Sequence, residues 1–193
     1  MDSFIALRAQ HILVTLLALT MCITLGISST LAASVLPPPL PPHAKAPVVS
    51  KQNAESEFLL AHNKARSAVG VGPLKWSKKL ANDTSRRVRY LRKNQGCDYA
   101  DTGSSEYGMN QFRVNNMDAT PQAAVQAWME EKKYYNHAKN TCAENHYCNS
   151  YQQVVWKKTT WVGCAQTECN MEHVSLTICY YDPPGNVNGQ KPY

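Results

Sequence analysis

Side chains that could do acid–base or nucleophilic chemistry are scattered along this chain. Ser150 has no histidine at a local spacing that would supply a base, and nothing in the sequence shows that Asp101 and Glu131 act as a carboxylate pair. Neither an H-E-x-x-H nor a G-x-S-x-G motif occurs. The residues themselves therefore predict no catalytic centre.

The cysteines predict disulfide chemistry. The chain has seven, and Cys22 lies in a predicted signal segment, which leaves an even number. An even set in a secreted chain is typical of three disulfides, whereas a zinc site would favour C-x2-C spacings, and none is present. The six that remain are Cys97, Cys142, Cys148, Cys164, Cys169 and Cys179.

The N-terminal segment predicts secretion. Arg8 precedes an apolar run at residues 12–27, and Thr30-Leu31-Ala32 fits a cleavage site, so residues 1–32 are interpreted as a signal peptide. A membrane anchor is the alternative, but the run is short for a span, and no stable membrane insertion is expected. Residues 33–50 are rich in proline and predict a stiff linker, with a ligand for proline-binding domains as the other interpretation. The folded domain is expected at residues 51–193.

Hydrophobic periodicity predicts helices first and strands later. Helices are expected over residues 54–69, after an N-cap at Ser77, and from Thr120 with Pro121 in its first turn. Strands are expected over residues 152–158, 161–165 and 174–181. This order indicates an α+β domain built in layers.

Composition excludes several classes of protein. Hydrophobic residues make up 44% of the 193, which is enough to build one core, so a wholly disordered chain is excluded. The net charge of +6 is mild and is interpreted as spread along the chain, so no nucleic-acid partner is expected. We expect a monomer. Asn82 begins a glycosylation sequon.

Four motifs in order resemble the CAP superfamily, the group of cysteine-rich secretory proteins, insect venom antigens and plant pathogenesis-related class-one proteins. They read FLLAHNKAR at 58–66, PLKW at 73–76, YQQVVW at 151–156 with GC at 163–164, and CYYDPPGN at 179–186. The ending GQKPY at 189–193 resembles the C-terminal sequence of the plant members. Among these, the chain most resembles the pistil-type subgroup. The resemblance implies a three-layer α-β-α sandwich, a central strand at the YQQVVW motif, and disulfides Cys97–Cys169, Cys142–Cys148 and Cys164–Cys179.

The resemblance also implies a cleft where two histidines and two glutamates can hold a divalent metal. The matching positions here are Asp101, Met109, Glu131 and Ser150, of which only Glu131 keeps the family's residue type. His146 and Glu106 are near these positions but out of register. We therefore expect no metal, no cofactor and no enzymatic activity. The alternative is a secreted metal-dependent hydrolase with a remodelled cleft.

Two further expectations follow from the resemblance. A sterol or fatty-acid ligand is expected at the aromatic residues Trp128, Tyr134 and Tyr135. Packing against the rest of the domain is the alternative for all three, and it is the favoured interpretation for Trp128. Residues 183–193 resemble a peptide that some plant relatives release as a defence signal, by a cut between Asp182 and Pro183 here, for recognition by a receptor. The alternative is a structural tail with Tyr193 as a lid. The chain is thus interpreted as a non-enzymatic protein of the plant extracellular space (apoplast), in defence or reproductive tissue.

Overall fold

The computed structural model describes residues 51–101, 103, 106–115, 119–169 and 173–193; the predicted signal peptide and linker lie outside them. The helices are α1 (Lys51–Ser67), α2 (Lys78–Asn94), α3 (Pro121–Met129), a 3-10 turn at Glu130–Tyr134, and α4 (Asn149–Val154). The strands are β1 (Lys75–Trp76), β2 (Gly108–Asn115), β3 (Tyr135–Asn136), β4 (Thr141–Cys142), β5 (Trp161–Cys169) and β6 (Val174–Asp182). Within these residues, no helix has the length and apolar character that crossing a bilayer demands.

The main sheet has the strand order β1-β5-β6-β2. Strand β6 pairs with β5 and β2 in antiparallel fashion, whereas β1 pairs with β5 in parallel. Strand β6 is buried along its length except at Asp182, which is half-buried. A strand buried on both faces needs a layer of helices on each side.

The two faces of β6 show where those layers lie. Cys179 and Tyr181 pack in one core with residues of α1, α3 and α4. Leu176 and Ile178 pack in a second core with residues of α2. Because side chains alternate along a strand, the sheet separates the two groups of helices, and the predicted α-β-α sandwich is confirmed.

Local capping explains two of the helix starts. The Ser77 Oγ accepts a hydrogen bond from the Leu80 N–H at 3.2 Å, and the Thr120 Oγ1 accepts one from the Ala123 N–H at 3.1 Å. Helix α2 then lies directly on β5, because a Cβ added at Gly163 would meet the Ala81 nitrogen at 2.2 Å. The glycine therefore sets how closely this helix approaches the sheet.

The prediction of a strand at residues 152–158 is wrong, because this segment enters the fold as helix α4 followed by a turn. Residues 153–156 are all buried, so alternation along a strand does not describe them. The helix begins where the Ser150 and Tyr151 N–H groups donate to the Glu131 Oε2, at 2.8 and 3.0 Å. A cap supplied from a distant residue leaves no local signal in the sequence. Strands β1 and β2 were likewise not predicted.

A buried arginine ties α1 to the loop after α4. Arg66 is 1% exposed, and its guanidinium donates to four carbonyl oxygens, those of Gly72, Val154, Trp156 and Thr159, at 2.6 to 3.0 Å. Burial lowers the pKa of Arg66 to about 10, so the group stays charged at neutral pH. Its charge is stabilised by oriented carbonyl dipoles.

The three disulfides have the pairing that the resemblance implies. Cys97–Cys169 joins the turn just after α2 to the end of β5, and Cys164–Cys179 links β5 to β6. Cys142–Cys148 closes the loop before α4. All three fit a protein of an oxidising, extracellular compartment.

Candidate binding cleft

A cleft of about 830 Å³ opens between the start of β2, the start of α4 and the first residues of the tail. Its described lining contains no charged residue, although 18% of the whole chain is charged. The lining residues are Tyr99, Tyr107, Gly108, Met109, Asn110, Gln111, Tyr147, Asn149, Ser150, Gln153, Pro184, Gly185 and Asn186.

The structure brings two of the four expected cleft positions into this wall, Met109 and Ser150. Asp101 is exposed and outside the lining, and its Oδ1 accepts a hydrogen bond from the Gly103 N–H at 2.9 Å. Tyr99 lines the cleft instead. If this cleft had a first metal ligand, position 99 could therefore supply it, whereas the resemblance implies position 101.

The Glu131 side chain caps the start of helix α4. Its Oε2 accepts hydrogen bonds from the two N–H groups that open α4, those of Ser150 and Tyr151. The carboxylate lies against Ser150 but is not part of the cleft lining. The one position that keeps the family's residue type thus acts as a helix cap.

The side chains at this cleft do not fit a divalent metal. A methionine thioether and a serine hydroxyl are poor ligands for zinc or a harder cation, and the nearby carboxylate is occupied. Nowhere in the described ranges do three or more His, Cys, Asp or Glu residues gather as a metal would need. His146, which is out of register in the sequence, stacks on Tyr134 with ring centroids 3.5 Å apart, and Glu106 does not line the cleft.

Added zinc should leave the melting temperature of the wild-type protein unchanged, since stabilisation requires a site in the folded state. The variant Tyr99→His/Met109→Glu/Ser150→His should acquire zinc-dependent stabilisation, of about 2.7 kcal/mol at a hundredfold excess over Kd. Differential scanning fluorimetry with and without zinc measures both.

The matched control is Asp101→His/Met109→Glu/Ser150→His, which places the first histidine outside the lining. We expect a smaller response from it. Equal responses from the two triple variants, or a response from the wild type, would show that the cleft is assigned incorrectly.

A buried polar chain lies behind the cleft. The His62 Nδ1–H donates to the Phe58 carbonyl at 2.7 Å, so the Nε2 of the neutral ring accepts from the Tyr181 hydroxyl at 2.8 Å. The Asn110 Nδ2 donates to the Tyr181 hydroxyl at 3.3 Å and to the Ser150 carbonyl at 2.9 Å. Burial lowers the pKa of His62 to about 4 and raises the pKa of Tyr181 well above its usual value. These hydrogen bonds connect α1, β6, β2 and α4, and each of the donor groups named has an acceptor.

His62 should make the protein less stable in acid. Its pKa falls from 6.5 in the unfolded chain to about 4 in the folded one, so unfolding takes up a proton between these values. The stabilisation is complete above pH 6.5 and is lost as pH falls towards 4, by roughly 3 kcal/mol. Urea unfolding at a series of pH values measures this.

His62→Gln is the control, because glutamine can hydrogen-bond but does not titrate. The variant should be less stable at pH 7 and should lose less on acidification than the wild type. Parallel pH curves for the two proteins would contradict the role given to His62.

The expected ligand-binding aromatics separate into two groups. Trp128 is 3% exposed, packs in the core and donates from its Nε1 to the Gln111 carbonyl at 2.9 Å, which matches the alternative of core packing. Tyr134 and Tyr135 are half-buried and line a depression of about 590 Å³. Lys133 and Lys139 line the same depression, so its wall is cationic.

The start of the tail is fastened to α4 and to the loop that follows it. The Thr159 hydroxyl donates to the Pro183 carbonyl at 2.8 Å, and the Gly185 N–H donates to the Gln153 Oε1 at 2.8 Å. A Cβ at Gly185 would come within 2.9 Å of both Gln153 and Trp156, so this approach requires a glycine.

The end of the tail is fastened as well. Pro192 is buried, and its carbonyl accepts from the Lys157 N–H at 2.7 Å. The Tyr193 ring stacks on His137 with centroids 4.3 Å apart, and its hydroxyl hydrogen-bonds the Tyr151 hydroxyl at 2.8 Å. Residues 183–193 therefore pack as a structural part of the domain, beside α4 and the β3–β4 hairpin.

Comparison with known proteins agrees with this architecture. The chain is 51% identical over 140 residues to the STS14 protein of Solanum tuberosum, covering 72% of this chain and 65% of the potato protein, and so less than two thirds of that relative's length. It is 41% identical over 142 residues to pathogenesis-related protein 1B of Nicotiana tabacum, covering 74% and 82% of the two chains.

Similarity to solved structures extends to the fold. Venom allergen-like protein 4 of Schistosoma mansoni is 28% identical, with a TM-score of 0.55 over 72% of this chain and 93% of that one. Residues 59–181 match the CAP family, described as the cysteine-rich secretory protein family. This match spans α1 to β6 and includes the residues that cap α4 and build most of the cleft. The chain therefore belongs to the CAP family of cysteine-rich secretory proteins and is a plant pathogenesis-related protein 1-like member of it.

Proposed function

We propose that this chain is a secreted, non-catalytic binding protein of plant defence or reproductive tissue, and that its cleft takes up a sterol or another neutral, largely apolar molecule. The observation that carries the proposal is the uncharged described lining of the cleft. Tyrosine rings and the Met109 side chain offer apolar area, while Ser150 and the neighbouring amides offer neutral hydrogen-bonding groups.

Catalysis has little support at the same place. General acid–base catalysis needs a titratable group within hydrogen-bond reach of the reacting atoms. The described lining offers tyrosine hydroxyls and one serine, and Glu131 is engaged at the start of α4. The alternative of a metal-dependent hydrolase would need ligands that these positions do not carry.

The cleft suits a neutral ligand better than the depression beside Tyr134 and Tyr135. A sterol has a single hydroxyl and no charge, and burying cationic side chains beside it would cost free energy without compensation. Lys133 and Lys139 line the depression, whereas no described charged residue lines the cleft.

Binding of radiolabelled cholesterol to the purified protein tests the proposal. Met109→Glu places a charge in the wall and should weaken binding at least about tenfold, because the ligand would then desolvate a carboxylate. The matched variant Tyr134→Ala, at the depression, should stay within about twofold. The reverse pattern would place the ligand at Tyr134, and absence of binding to the wild-type protein would contradict the proposal.

A second proposed role is release of residues 183–193 as a signalling peptide for a receptor. The Asp182 carbonyl accepts from the Thr160 N–H at 3.1 Å, and contacts hold both ends of the tail, so we expect cleavage only after the tail detaches. Tyr193→Ala should then speed release. Mass spectrometry of extracellular fluid would reject this role if intact protein is abundant and no peptide beginning at Pro183 is found.

A further inference from the structure

The outer surface of α2 carries an excess of positive charge. The helix holds seven basic residues and a single acidic one, Asp83. Its excess equals the net charge of +6 of the whole chain, so the expectation that this charge is spread along the chain is wrong. The basic residues are Lys78, Lys79, Arg86, Arg87, Arg89, Arg92 and Lys93.

The fold presents this charge on the side of α2 that faces away from the sheet. The apolar side of α2 is buried against the sheet, with Leu80, Val88 and Leu91 each at most 2% exposed. Gly163 seats the helix directly on β5, and the Cys97–Cys169 disulfide fastens the chain just beyond its end. The helix therefore offers a preorganised row of cations.

Most of this charge remains available to a partner. Asp83 pairs with Lys79 at 3.2 Å and with Arg86, near the start of the helix. Among the described residues, no ion pair within 4.0 Å involves Arg89, Arg92 or Lys93, and all three are exposed. Glu168 lies in the same depression as Arg92 but outside that distance.

The spacing suits a linear polymer. Arg86, Arg89 and Lys93 follow one another at three and four residues, so their Cβ atoms are about 5–6 Å apart along one face. From Lys78 to Lys93 the helix rises about 22 Å. A row of this kind matches a chain that carries an anionic group on each successive unit, and arginine pairs with carboxylates in two-point geometry.

We propose that the outer face of α2 binds an acidic polysaccharide whose sugar units carry carboxylates. A membrane is a poorer match, because a helix that lies in a bilayer surface needs a free apolar face and the apolar face of α2 is buried. Three disulfides fit an extracellular compartment, where acidic polysaccharides are available polyanions.

Asn82 adds a way to regulate this surface. It is exposed and lies one helical turn before Arg86, in the same row as Arg86, Arg89 and Lys93. A glycan on Asn82 would cover the first part of the row. Asn82→Gln produced in a glycosylating host should therefore bind the polymer at least as well as the wild-type protein.

Titration of the full-length secreted protein with polygalacturonate oligomers, by calorimetry, tests the proposal. Replacing Arg89, Arg92 and Lys93 by glutamine should weaken binding at least about tenfold and flatten its dependence on salt. Glutamine is a comparable helix former, so the fold should persist, which circular dichroism checks. The matched control, Lys132→Gln/Lys139→Gln/Lys157→Gln, removes the same charge elsewhere and should change affinity by less than about twofold.

Three outcomes would overturn the proposal. One is absence of binding to polygalacturonate at low salt. Another is an equal loss in the two triple variants, which would indicate net charge alone. The third is tighter binding to vesicles of phosphatidylcholine and phosphatidylserine, or to single-stranded DNA, than to the polysaccharide. Fully methyl-esterified polymer, which lacks the charge, should not bind.

Discussion

Replacing Arg66 by methionine should destabilise the domain by about 4 kcal/mol or more. The guanidinium satisfies four carbonyl oxygens in a place from which water is excluded, and methionine fills similar space without any donor. The melting temperature should fall by at least about 10 °C. Urea and thermal unfolding measure the effect.

Two controls isolate the cause. Arg66→Lys keeps the charge but presents one ammonium group to acceptors spread around a planar fork, so an intermediate loss is expected. Arg89→Met makes the same chemical change at an exposed site and should cost no more than about 0.5 kcal/mol. A loss below about 1 kcal/mol for Arg66→Met would contradict the role of this residue. If that variant fails to fold, the loss of stability is measured on Arg66→Lys instead.

Removing the Cys97–Cys169 disulfide should cost about 4 kcal/mol, more than removing either of the others. Its cysteines are 72 residues apart, against 15 for Cys164–Cys179 and 6 for Cys142–Cys148. Because a crosslink restricts the unfolded chain more as its loop lengthens, the corresponding losses are about 3 and about 2 kcal/mol.

The measurement compares three double Cys→Ala variants by urea unfolding. Thiol titration of denatured wild-type protein should detect no free thiol among the six cysteines that follow the signal segment. The reverse order of stability would contradict the loop argument, and two reactive thiols would contradict the pairing itself.

Features encoded by neighbouring residues could be predicted from the sequence. The caps at Ser77 and Thr120 act within one helical turn, and the apolar face of α2 repeats at helical spacing. Strand β6 is recognisable because most of its residues are apolar or aromatic and a proline follows it. In each case the deciding interactions lie close along the chain.

Features that depend on distant partners could not be predicted. The start of helix α4 is capped by the carboxylate of Glu131, which is 19 residues before Ser150 in the chain. Local periodicity in the sequence gives no sign of a cap supplied from that distance. Strand β2 is largely half-buried, so it shows little alternation, and its position depends on pairing with β6. The tail is likewise held by contacts with residues far along the chain, such as the stacking of Tyr193 on His137.

The candidate site was predicted in part. The loss of metal ligands at Met109 and Ser150 follows from the sequence once the resemblance is drawn, and both residues line the cleft. The placement of Asp101 outside the lining and the engagement of Glu131 as a cap required the structure. For Trp128 the sequence already favours the core, and its surroundings place it there.

Native mass spectrometry of the protein secreted by plant cells, purified without chelators, tests the central claim most directly, because one spectrum reports bound metal and bound neutral molecules together. A cleft with an uncharged lining predicts a fraction of the protein carrying one neutral apolar molecule, which organic solvent releases, and a mass free of zinc. Met109→Glu should lose that molecule. One zinc ion per chain in the wild-type protein would contradict the account.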